Sequence, residues 1–403
     1  TVKSLPGLGR VSTTQFAGYA SMDPPTTDPA DSGKLFYWFV GAAGYDKRPT
    51  ILWTNGGPGS SSFWGFFLEN GPYTIETAMG DSPVVRPNPT GWNNYANYLI
   101  FEHPLSVTLS FASDDKHVPQ TPQQGADQLY TALLNFVGRH PEIAGNPLIL
   151  AGESYAGTYL PLLAQAILNG NDAGKTKLDL RSTVLCDAWV DPLVQMSKNT
   201  EYAHTHGLIS KAQKEQLDRE YAGDKLPQLN NAIAKICGCY MANTARAGDP
   251  AFDPVLSYLN RADVRTALHV ASETPLVDSS SPQVEANYSP HVNESFRPVV
   301  QELLDRGHRV QVVSGLNDAK DCNFLGTEAW LQLLSGPAAE SFGAAEQEQW
   351  RNAASSVVGF YQDGGTLSWL KVLNAGHLAV DDQPLIIDKI MEKALQAGWT
   401  RPT

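Results

Sequence analysis

The sequence predicts an α/β protein whose largely parallel sheet is covered by helices on both faces. Short apolar runs that end near Gly or Asn alternate with helical patterns from one end of the chain to the other. That alternation is typical of parallel strands joined by crossover helices. One long stretch of polar helix-formers interrupts it, and we expect this stretch to be an insertion.

Each predicted strand is a short run of apolar, β-branched or aromatic residues, and each predicted helix has apolar residues at helical spacing. The predicted strands are residues 34–40, 49–53, 98–101, 148–151, 309–313 and 367–373. The predicted helices of the same core are residues 155–168, 328–334 and 385–397. Gly170 is expected to end the first of these helices, because glycine commonly follows a helix C-terminus.

Between residues 193 and 254 the sequence is polar and charged, with helical patterns over residues 210–219 and 228–236. The prediction is therefore a core, residues 1–192 and 255–403, and a helical insertion, residues 193–254. Enzymes of this class commonly place insertions above the carboxyl end of the sheet, so a lid over the site is the functional interpretation. A solvated decoration is the alternative.

Composition and charge argue against two classes of protein. The 403 residues carry 29 Lys and Arg against 42 Asp and Glu, a net charge of −13. A nucleic-acid-binding protein needs clustered cations to track phosphates. No stretch approaches the ~20 apolar residues of a membrane span. We therefore expect a soluble globular protein with no nucleic-acid or membrane partner, and the oligomeric state stays open.

Two features favour a secretory route. The chain begins at Thr1 with no signal-peptide pattern ahead of it, as a mature secreted protein does. The triplets that begin at Asn287 and Asn293 are acceptor sequons, so both residues are glycosylation candidates. We expect a secreted glycoprotein, or residence in an acidic vacuole-like or lysosome-like compartment.

The cysteines are too few and too scattered to be a disulfide framework for a chain of this length. They are Cys186, Cys237, Cys239 and Cys322. One residue separates Cys237 from Cys239, which strains a mutual bridge, so a distant partner is expected if either is oxidised. His204 and His206 lack a second pair at zinc-site spacing, and we expect no metal and no cofactor.

A candidate nucleophile follows the strand at 148–151. In the run G-E-S-Y-A-G, small residues around Ser154 let the chain turn sharply enough to expose its hydroxyl. A serine needs an imidazole to take its proton and a carboxylate to orient that imidazole. His377, just after the last predicted strand, offers the base, and Asp318, after the strand at 309–313, offers the carboxylate. The order Ser, Asp, His is that of α/β hydrolases, which is the fold we predict.

A glycine-rich segment follows the strand at 49–53. In W-T-N-G-G-P-G-S-S, which starts at Trp53, the glycines let backbone amides approach developing negative charge. An oxyanion hole made by the amides of Gly57 and Tyr155 is the natural interpretation. The rival is a phosphate-binding loop, and it lacks the Lys-Ser/Thr pair that completes one.

These motifs resemble those of the serine carboxypeptidase family. They are W-x-N-G-G-P-G-x-S-S from Trp53, G-E-S-Y-A-G-x-Y-x-P from Gly152 and G-H-x-x-x-x-D from Gly376. Further matches, such as N-P-T-G-W-N from Asn88, extend the resemblance over most of the chain. The resemblance implies an α/β-hydrolase fold and release of C-terminal residues from peptides through an acyl-enzyme intermediate, best in acid.

The resemblance also implies roles for particular residues. The implied catalytic triad is Ser154, Asp318 and His377. The implied oxyanion hole is made by Gly57 and Tyr155. The implied site for a substrate's terminal carboxylate is made by Asn55, Glu153 and Trp53. A carboxyl such as Glu153 beside a bound carboxylate requires a shared proton, which acid supplies. The alternative is that it only braces the turn through backbone amides.

Departures from the family pattern bear on the substrate. Ser60 stands where the family has a cysteine, so the corresponding bridge is absent. The family's D-Q-P-x-G-x-G begins here at Glu102 with both glycines replaced, and its G-N-G-x-x-D-P reads C-D-A-W-V-D-P from Cys186. Bulkier residues at those glycines should reshape the pocket wall. The loop that carries Asp318 is one residue longer than the pattern, so Asp321 is a rival for its role.

Three functions stay open. The first is a serine carboxypeptidase acting on peptides. The second is a family member recruited to biosynthesis, an acyltransferase or specialised esterase that uses the same triad on a small acyl substrate. The third is a non-catalytic binding protein with the same fold, which the complete triad disfavours.

Overall fold

One eleven-stranded sheet organises the part of the chain that the structure describes. The computed structural model describes residues 1–22, 33–76, 83–272, 274, 277–320 and 322–395. The strands are β1 (Ser4–Leu5), β2 (Gly9–Arg10), β3 (Gln15–Ser21), β4 (Gly33–Val40), β5 (Thr50–Thr54), β6 (Tyr73–Glu76), β7 (Val84–Pro87), β8 (Asn97–Phe101), β9 (Phe111–Ala112), β10 (Leu148–Glu153), β11 (Leu180–Cys186), β12 (Arg309–Gly315), β13 (Gln347–Arg351), β14 (Val357–Asp363) and β15 (Leu367–Val372).

The helices fall between these strands. They are α1 (Phe63–Leu68), α2 (Pro122–Arg139), α3 (Ala156–Asp172), α4 (Pro192–Met196), α5 (Asn199–Thr205), α6 (Lys211–Glu220), α7 (Leu229–Cys237), α8 (Asp253–Leu259), α9 (Ala262–Ala267), α10 (Pro282–Tyr288), α11 (Arg297–Asp305), α12 (Phe324–Leu331), α13 (Gly336–Ala344), α14 (Ala379–Asp382) and α15 (Ile386–Leu395). No helix in these ranges combines the length and apolar character that a bilayer crossing needs.

The centre of the sheet is parallel, as predicted. The strand order is β13-β14-β15-β12-β11-β10-β5-β8-β4-β3, with β9 beside β4. From β15 to β8 every neighbouring pair is parallel. The pairs at both edges are antiparallel, a feature that the sequence did not predict. The loops after β10, β12 and β15 therefore meet at the carboxyl edge of the parallel strands, where such sheets place their sites.

Helices cover both faces of the sheet. Side chains of β10 alternate between two cores: Ile149 and Ala151 pack on the side of α1, α8 and α15, whereas Leu148 and Leu150 pack on the side of α2, α3 and α11. Strands buried on both faces carry near-continuous apolar sequence, which is why they were recognisable as short apolar runs.

The predicted end of α3 at Gly170 was wrong. The helix continues through Gly170 to Asp172. A Cβ atom at this glycine would lie 1.8 Å from the hydroxyl oxygen of Tyr130 in α2. The residue is therefore small because two helices approach each other closely there, and it does not terminate the helix. The predicted helix at 385–397 corresponds to α15, and residues 396–403 lie outside the described part of the chain.

Residues 193–254, all of them described, contain helices and connecting turns. The two predicted helices correspond to α6, which begins with a capping box between Ser210 and Gln213, and α7. α4 and α5 precede them. Residues 241–246 follow α7 and lead the chain back towards α8.

The cysteine prediction was wrong at this point. Cys237 and Cys239 are bridged to each other. Gly238 between them adopts φ 64°, a left-handed conformation that costs glycine little, and the two Cα atoms lie 5.2 Å apart. The left-handed conformation of Gly238 thus makes the tight turn that a bridge across one residue needs, and the spacing alone did not predict it. Cys186 and Cys322 are buried and belong to no disulfide among the described residues.

Candidate active site

Ser154 stands on a tight turn between β10 and α3. Its φ of 60° is left-handed, which is rare for a residue with a side chain and marks a strained backbone. A Cβ at Gly152 would lie 2.3 Å from the carbonyl oxygen of Thr54, so the strand end has no room for a larger residue. The amide of Ser154 donates to the carbonyl of Cys186 at 3.1 Å, and its carbonyl accepts from the amide of Trp189 at 2.8 Å. Neighbouring strand ends therefore hold the turn in place.

Asp318 and His377 are brought together. Asp318 Oδ2 lies 2.8 Å from His377 Nδ1, and Oδ1 accepts a hydrogen bond from the Lys320 amide at 2.8 Å. Asp318 is fully buried. Among the described residues, the Ser154 hydroxyl makes no hydrogen bond to His377; such bonds are often long in unliganded enzymes. Asp321 lies outside the described residues.

Two backbone amides near Ser154 have no hydrogen-bond partner in the part of the chain that the structure describes. A Cβ at Gly56 would lie 2.3 Å from the amide nitrogen of Tyr155, which shows how closely the glycine-rich segment approaches the turn. Gly57 adopts φ 110°, a conformation that favours glycine. Neither the Gly57 amide nor the Tyr155 amide donates a hydrogen bond to another described residue. Both amides are therefore available to an anion.

Asn55 orients two carboxyl groups. Its Nδ2 donates to Glu153 Oε1 at 2.9 Å and to Glu69 Oε1 at 3.1 Å. Its Oδ1 accepts from Trp53 Nε1 at 2.9 Å and from the Gly65 amide at 3.0 Å. Trp53 is fully buried and holds Asn55 through this hydrogen bond. Both amide hydrogens of Asn55 are donated, and its oxygen already accepts two bonds. Glu69 Oε2 and Glu153 Oε2 are the atoms of this group that accept no hydrogen bond from the described residues.

Glu69 is a site residue that the sequence analysis missed. Burial raises the pKa of Glu69 to about 7. Burial, and then the charge of Glu69, raise the pKa of Glu153 well above its usual range. Two carboxyls that accept from the same amide nitrogen repel each other when both are ionised. The pair therefore holds at least one proton in acid. The available signal was an acid placed directly after the apolar run Phe63–Leu68.

Known proteins resemble this chain over most of its length. The family model described as serine carboxypeptidase matches residues 6–249 and 241–397. The chain belongs to the serine carboxypeptidase family. Serine carboxypeptidase-like 37 of Arabidopsis thaliana is 30% identical over 424 residues, which cover 95% of this chain and 83% of the relative. The venom serine carboxypeptidase of Apis mellifera is 28% identical over 386 residues, which cover 89% and 80%.

A solved serine carboxypeptidase shares the fold. The prohormone-processing carboxypeptidase KEX1ΔP of Saccharomyces cerevisiae superposes with a TM-score of 0.81 at 21% identity, over 94% of this chain and 90% of that structure. The predicted α/β-hydrolase fold and the predicted enzyme class, a serine-type carboxypeptidase among the hydrolases, are confirmed.

Glu102, the first residue of the altered family motif, joins two loops. Its carboxylate oxygens accept from Ser61 Oγ at 2.7 Å, from the Ser62 amide at 3.0 Å and from Thr108 Oγ1. Ser106 and Thr108 replace the two family glycines and keep left-handed φ values of 78° and 43°. The backbone of this serine carboxypeptidase thus keeps the left-handed conformation that glycine adopts easily, although both residues carry side chains. The hydrogen bond donated by the Thr108 hydroxyl offsets part of the resulting strain.

Glu102→Gln is expected to reduce the pH dependence of stability. Burial raises the pKa of Glu102 to about 7 from 4.5. The folded state therefore binds a proton that the unfolded state releases, and stability falls as pH rises from about 4.5 through about 7, on the order of 3 kcal/mol for this group. Glutamine carries no such proton. Urea unfolding at pH 5 and pH 7.5 measures the change.

The matched control is Glu285→Gln, at an exposed helix position. It should leave the difference between the two pH values as in the wild type. Equal pH dependence of the unfolding free energy in Glu102→Gln and the wild type would contradict the role given to Glu102.

Ser60, where the family has a cysteine, is held by backbone pairing. Ser60 forms an isolated antiparallel β-bridge with Ser280, and the Ser281 amide donates to the Gly59 carbonyl at 2.9 Å. This contact borders a cavity of about 480 Å³. Its lining includes Ser106, Thr108, Phe111, Asp278, Ser281 and Gln283. No member of the triad lines it, so the replaced glycines shape this neighbouring cavity.

Two glycosylation candidates and a pair of histidines remain from the sequence analysis, and the structure adds one group of possible metal ligands. Asn293 is exposed in a turn, whereas Asn287 donates its side-chain amide to the Pro119 carbonyl at 3.2 Å. His206 stacks on Tyr202. The potential ligand atoms of Asp318, Cys322 and His377 lie within 4.8 Å of one another. Two of the three are already paired with each other, and we assign this group no metal.

Proposed function

We propose that the chain releases C-terminal residues from peptides through an acyl-enzyme intermediate and works best in acid. The observation that carries this proposal is the pair of buried acids, Glu69 and Glu153, held by Asn55 one residue from Ser154. An esterase or acyltransferase has no need for a group that recognises a free terminal carboxylate. A protonated pair at that place recognises one well, because the O–H that is not shared between the two acids donates to it.

The triad carries the bond-breaking steps. His377 takes the proton of Ser154 as the hydroxyl attacks the scissile carbonyl, and Asp318 holds the imidazole through Nδ1 so that Nε2 faces the serine. The amides of Gly57 and Tyr155 stabilise the oxyanion. His377 then returns the proton to the leaving amine, and a water molecule repeats the sequence on the acyl-enzyme.

The insertion, residues 193–254, is proposed to be a lid that also contacts the triad loops. Tyr202 Oη donates to the Leu316 carbonyl at 2.7 Å, and the Ala319 amide donates to the Met241 carbonyl at 2.9 Å. Both contacts join the insertion to the loop of Asp318. This placement supports a role in bounding the substrate site.

We propose that the protein follows the secretory route or resides in an acidic vacuole-like compartment. Its proposed substrate is a peptide. The raised pKa values of Glu69 and Glu153 support acid, where both groups are neutral. Of the two glycosylation candidates, Asn293 is the better acceptor, because its side chain is exposed while the Asn287 amide is engaged.

The pH dependence of substrate affinity is expected to differ between peptides with free and blocked C-termini. Below about pH 7 the pair of Glu69 and Glu153 is neutral, and above it one of the two acids ionises and repels a bound carboxylate. KM for a free-acid peptide should rise about tenfold between pH 5 and pH 8. KM for the same peptide amide should change much less. Matched free-acid and amide substrates measure the effect.

Glutamine variants locate the effect. Glu153→Gln should weaken the pH dependence and leave the part due to Glu69, and Glu69→Gln with Glu153→Gln should flatten it. Identical KM profiles for the acid and the amide would contradict the proposed carboxylate site and return the esterase and the acyltransferase to equal standing.

A further inference from the structure

The final acid of the family motif at Gly376 is buried against the backbone amide of Gly376, the residue directly before the proposed catalytic histidine. The Asp382 side chain is 3% exposed. Its Oδ2 accepts from the Gly376 amide at 2.8 Å and from Asn243 Nδ2 at 3.0 Å. Its Oδ1 forms an ion pair with Arg246. All of these partners are hydrogen-bond donors, and Gly376 directly precedes His377.

The insertion also contacts His377 directly. The amide of His377 donates to the Ala242 carbonyl at 2.7 Å. A Cβ at Gly376 would lie 2.4 Å from that same carbonyl oxygen and 2.5 Å from the Asn243 Cβ. Residues 242 and 243 therefore lie so close to the backbone at Gly376 that a side chain would not fit there.

The same short segment holds the loop of the orienting carboxylate. The Met241 carbonyl accepts from the Ala319 amide at 2.9 Å, and the Thr244 amide donates to the Asn317 carbonyl at 3.0 Å. These bonds fall on both sides of Asp318. We call residues 241–246 the clasp, because its backbone and side chains contact both triad loops.

We propose that Asp382 is a positioning residue for His377, and that the clasp, through Asn243 and Arg246, keeps Asp382 in place. The inference rests on the proposed triad. His377 and Asp318 are carried by loops, and a loop alone leaves a side chain free to move by an ångström or more. Hydrogen bonds at residues 317 and 319, and at residues 376 and 377, remove that freedom. Misplacement of about 1 Å is enough to cost about 100-fold in rate.

A carboxylate suits this position better than an amide. Asp382 accepts from donors at both oxygens. In Asp382→Asn, either orientation of the new amide turns an NH₂ group towards a donor. The variant therefore loses the contact with Gly376 or the contact with Arg246.

The chain offers a matched control next door. Asp381 also pairs with Arg246, at 2.9 Å, and its side chain is about a quarter exposed. It makes no contact with Gly376 among the described hydrogen bonds. Asp382→Asn and Asp381→Asn thus remove the same charge from neighbouring residues that share Arg246 as a partner, but only Asp382 also accepts from the Gly376 amide.

The experiment compares kcat and KM of these two variants on one free-acid peptide, together with their rate of labelling by a serine-directed phosphonate. Asp382→Asn should lower kcat and the labelling rate by about 10- to 100-fold and leave KM within about twofold, because the carboxylate site is separate. Asp381→Asn should stay within about twofold of the wild type in both. Arg246→Gln should lower kcat, and Arg246→Lys should restore part of it.

Equal kcat in Asp382→Asn and Asp381→Asn would overturn the inference, and so would a loss confined to KM. If Asp382→Asn does not fold, Asn243→Ala gives the decision, since it removes one donor and leaves the ion pair; an unchanged kcat overturns the inference. Failure of the proposed function looks different: the wild type would then release no C-terminal residue from the free-acid peptide. Failure of the proposed triad would leave wild-type activity in Ser154→Ala, whatever Asp382→Asn does.

Discussion

Ser154→Ala is expected to lower kcat by about 10⁴- to 10⁶-fold, because the hydroxyl is the only group that can form the acyl-enzyme in the proposed mechanism. The residual rate comes from the oxyanion amides and from substrate binding. The fold should be unaffected, since alanine meets the same left-handed φ of 60° as serine and the backbone bonds of the turn do not involve Oγ. Hydrolysis of a blocked dipeptide at pH 5 measures the loss.

Ser106→Ala is the matched control for this variant. Ser106 is also a serine at positive φ, 78°, and it lies outside the triad. It should keep most of the wild-type activity. If purified Ser154→Ala retained more than a few per cent of wild-type kcat, Ser154 would not be the nucleophile.

Asp318→Asn is expected to lower kcat by about 10⁴-fold. In the proposed mechanism Asp318 Oδ2 accepts a hydrogen bond from His377 Nδ1–H. An amide nitrogen at that position would favour the other tautomer, in which Nε2 carries the proton and cannot accept one from Ser154. KM should change little, because the carboxylate site does not involve Asp318. Pre-steady-state measurement of acylation with an ester substrate separates the two effects.

Asp321→Asn tests the rival carboxylate. It removes the same charge from the same loop, and we expect activity within about threefold of the wild type. A larger loss in Asp321→Asn than in Asp318→Asn would transfer the orienting role to Asp321.

The parallel core of the sheet was predictable, and one of its central strands was not. The strands recognised from sequence carry continuous apolar runs, because both of their faces are buried. β11 lies between β10 and β12, but it contains Ser182 and Thr183. Their hydroxyls bond to side chains far along the chain: Gln311 donates to Ser182 at 2.9 Å, and His308 lies 2.9 Å from Thr183. No local pattern reveals that such partners will be present.

Candidate site residues at strand ends could be proposed from the sequence because the strand itself marks their position. Ser154, Asp318 and His377 each follow a recognisable strand, and parallel strands bring their carboxyl ends to one edge. Glu69 follows a helix, and its role arises from contacts with Asn55 and Glu153 that the fold alone creates. Asp382 was visible as a motif letter, but its partners in residues 241–246 are more than a hundred positions away.

The contacts of residues 241–246 limit how freely this fold can be re-engineered. An insertion between two strands usually behaves as an exchangeable module, since it can vary without disturbing the register of the sheet. Here the inserted segment contributes backbone partners to residues 317, 319 and 377 and a cation to Asp382. Transplanting a relative's lid to change specificity would leave the recipient's catalytic loops without these partners. We expect a workable chimera to keep residues 241–246 with the core, which places the border of the proposed lid before residue 241.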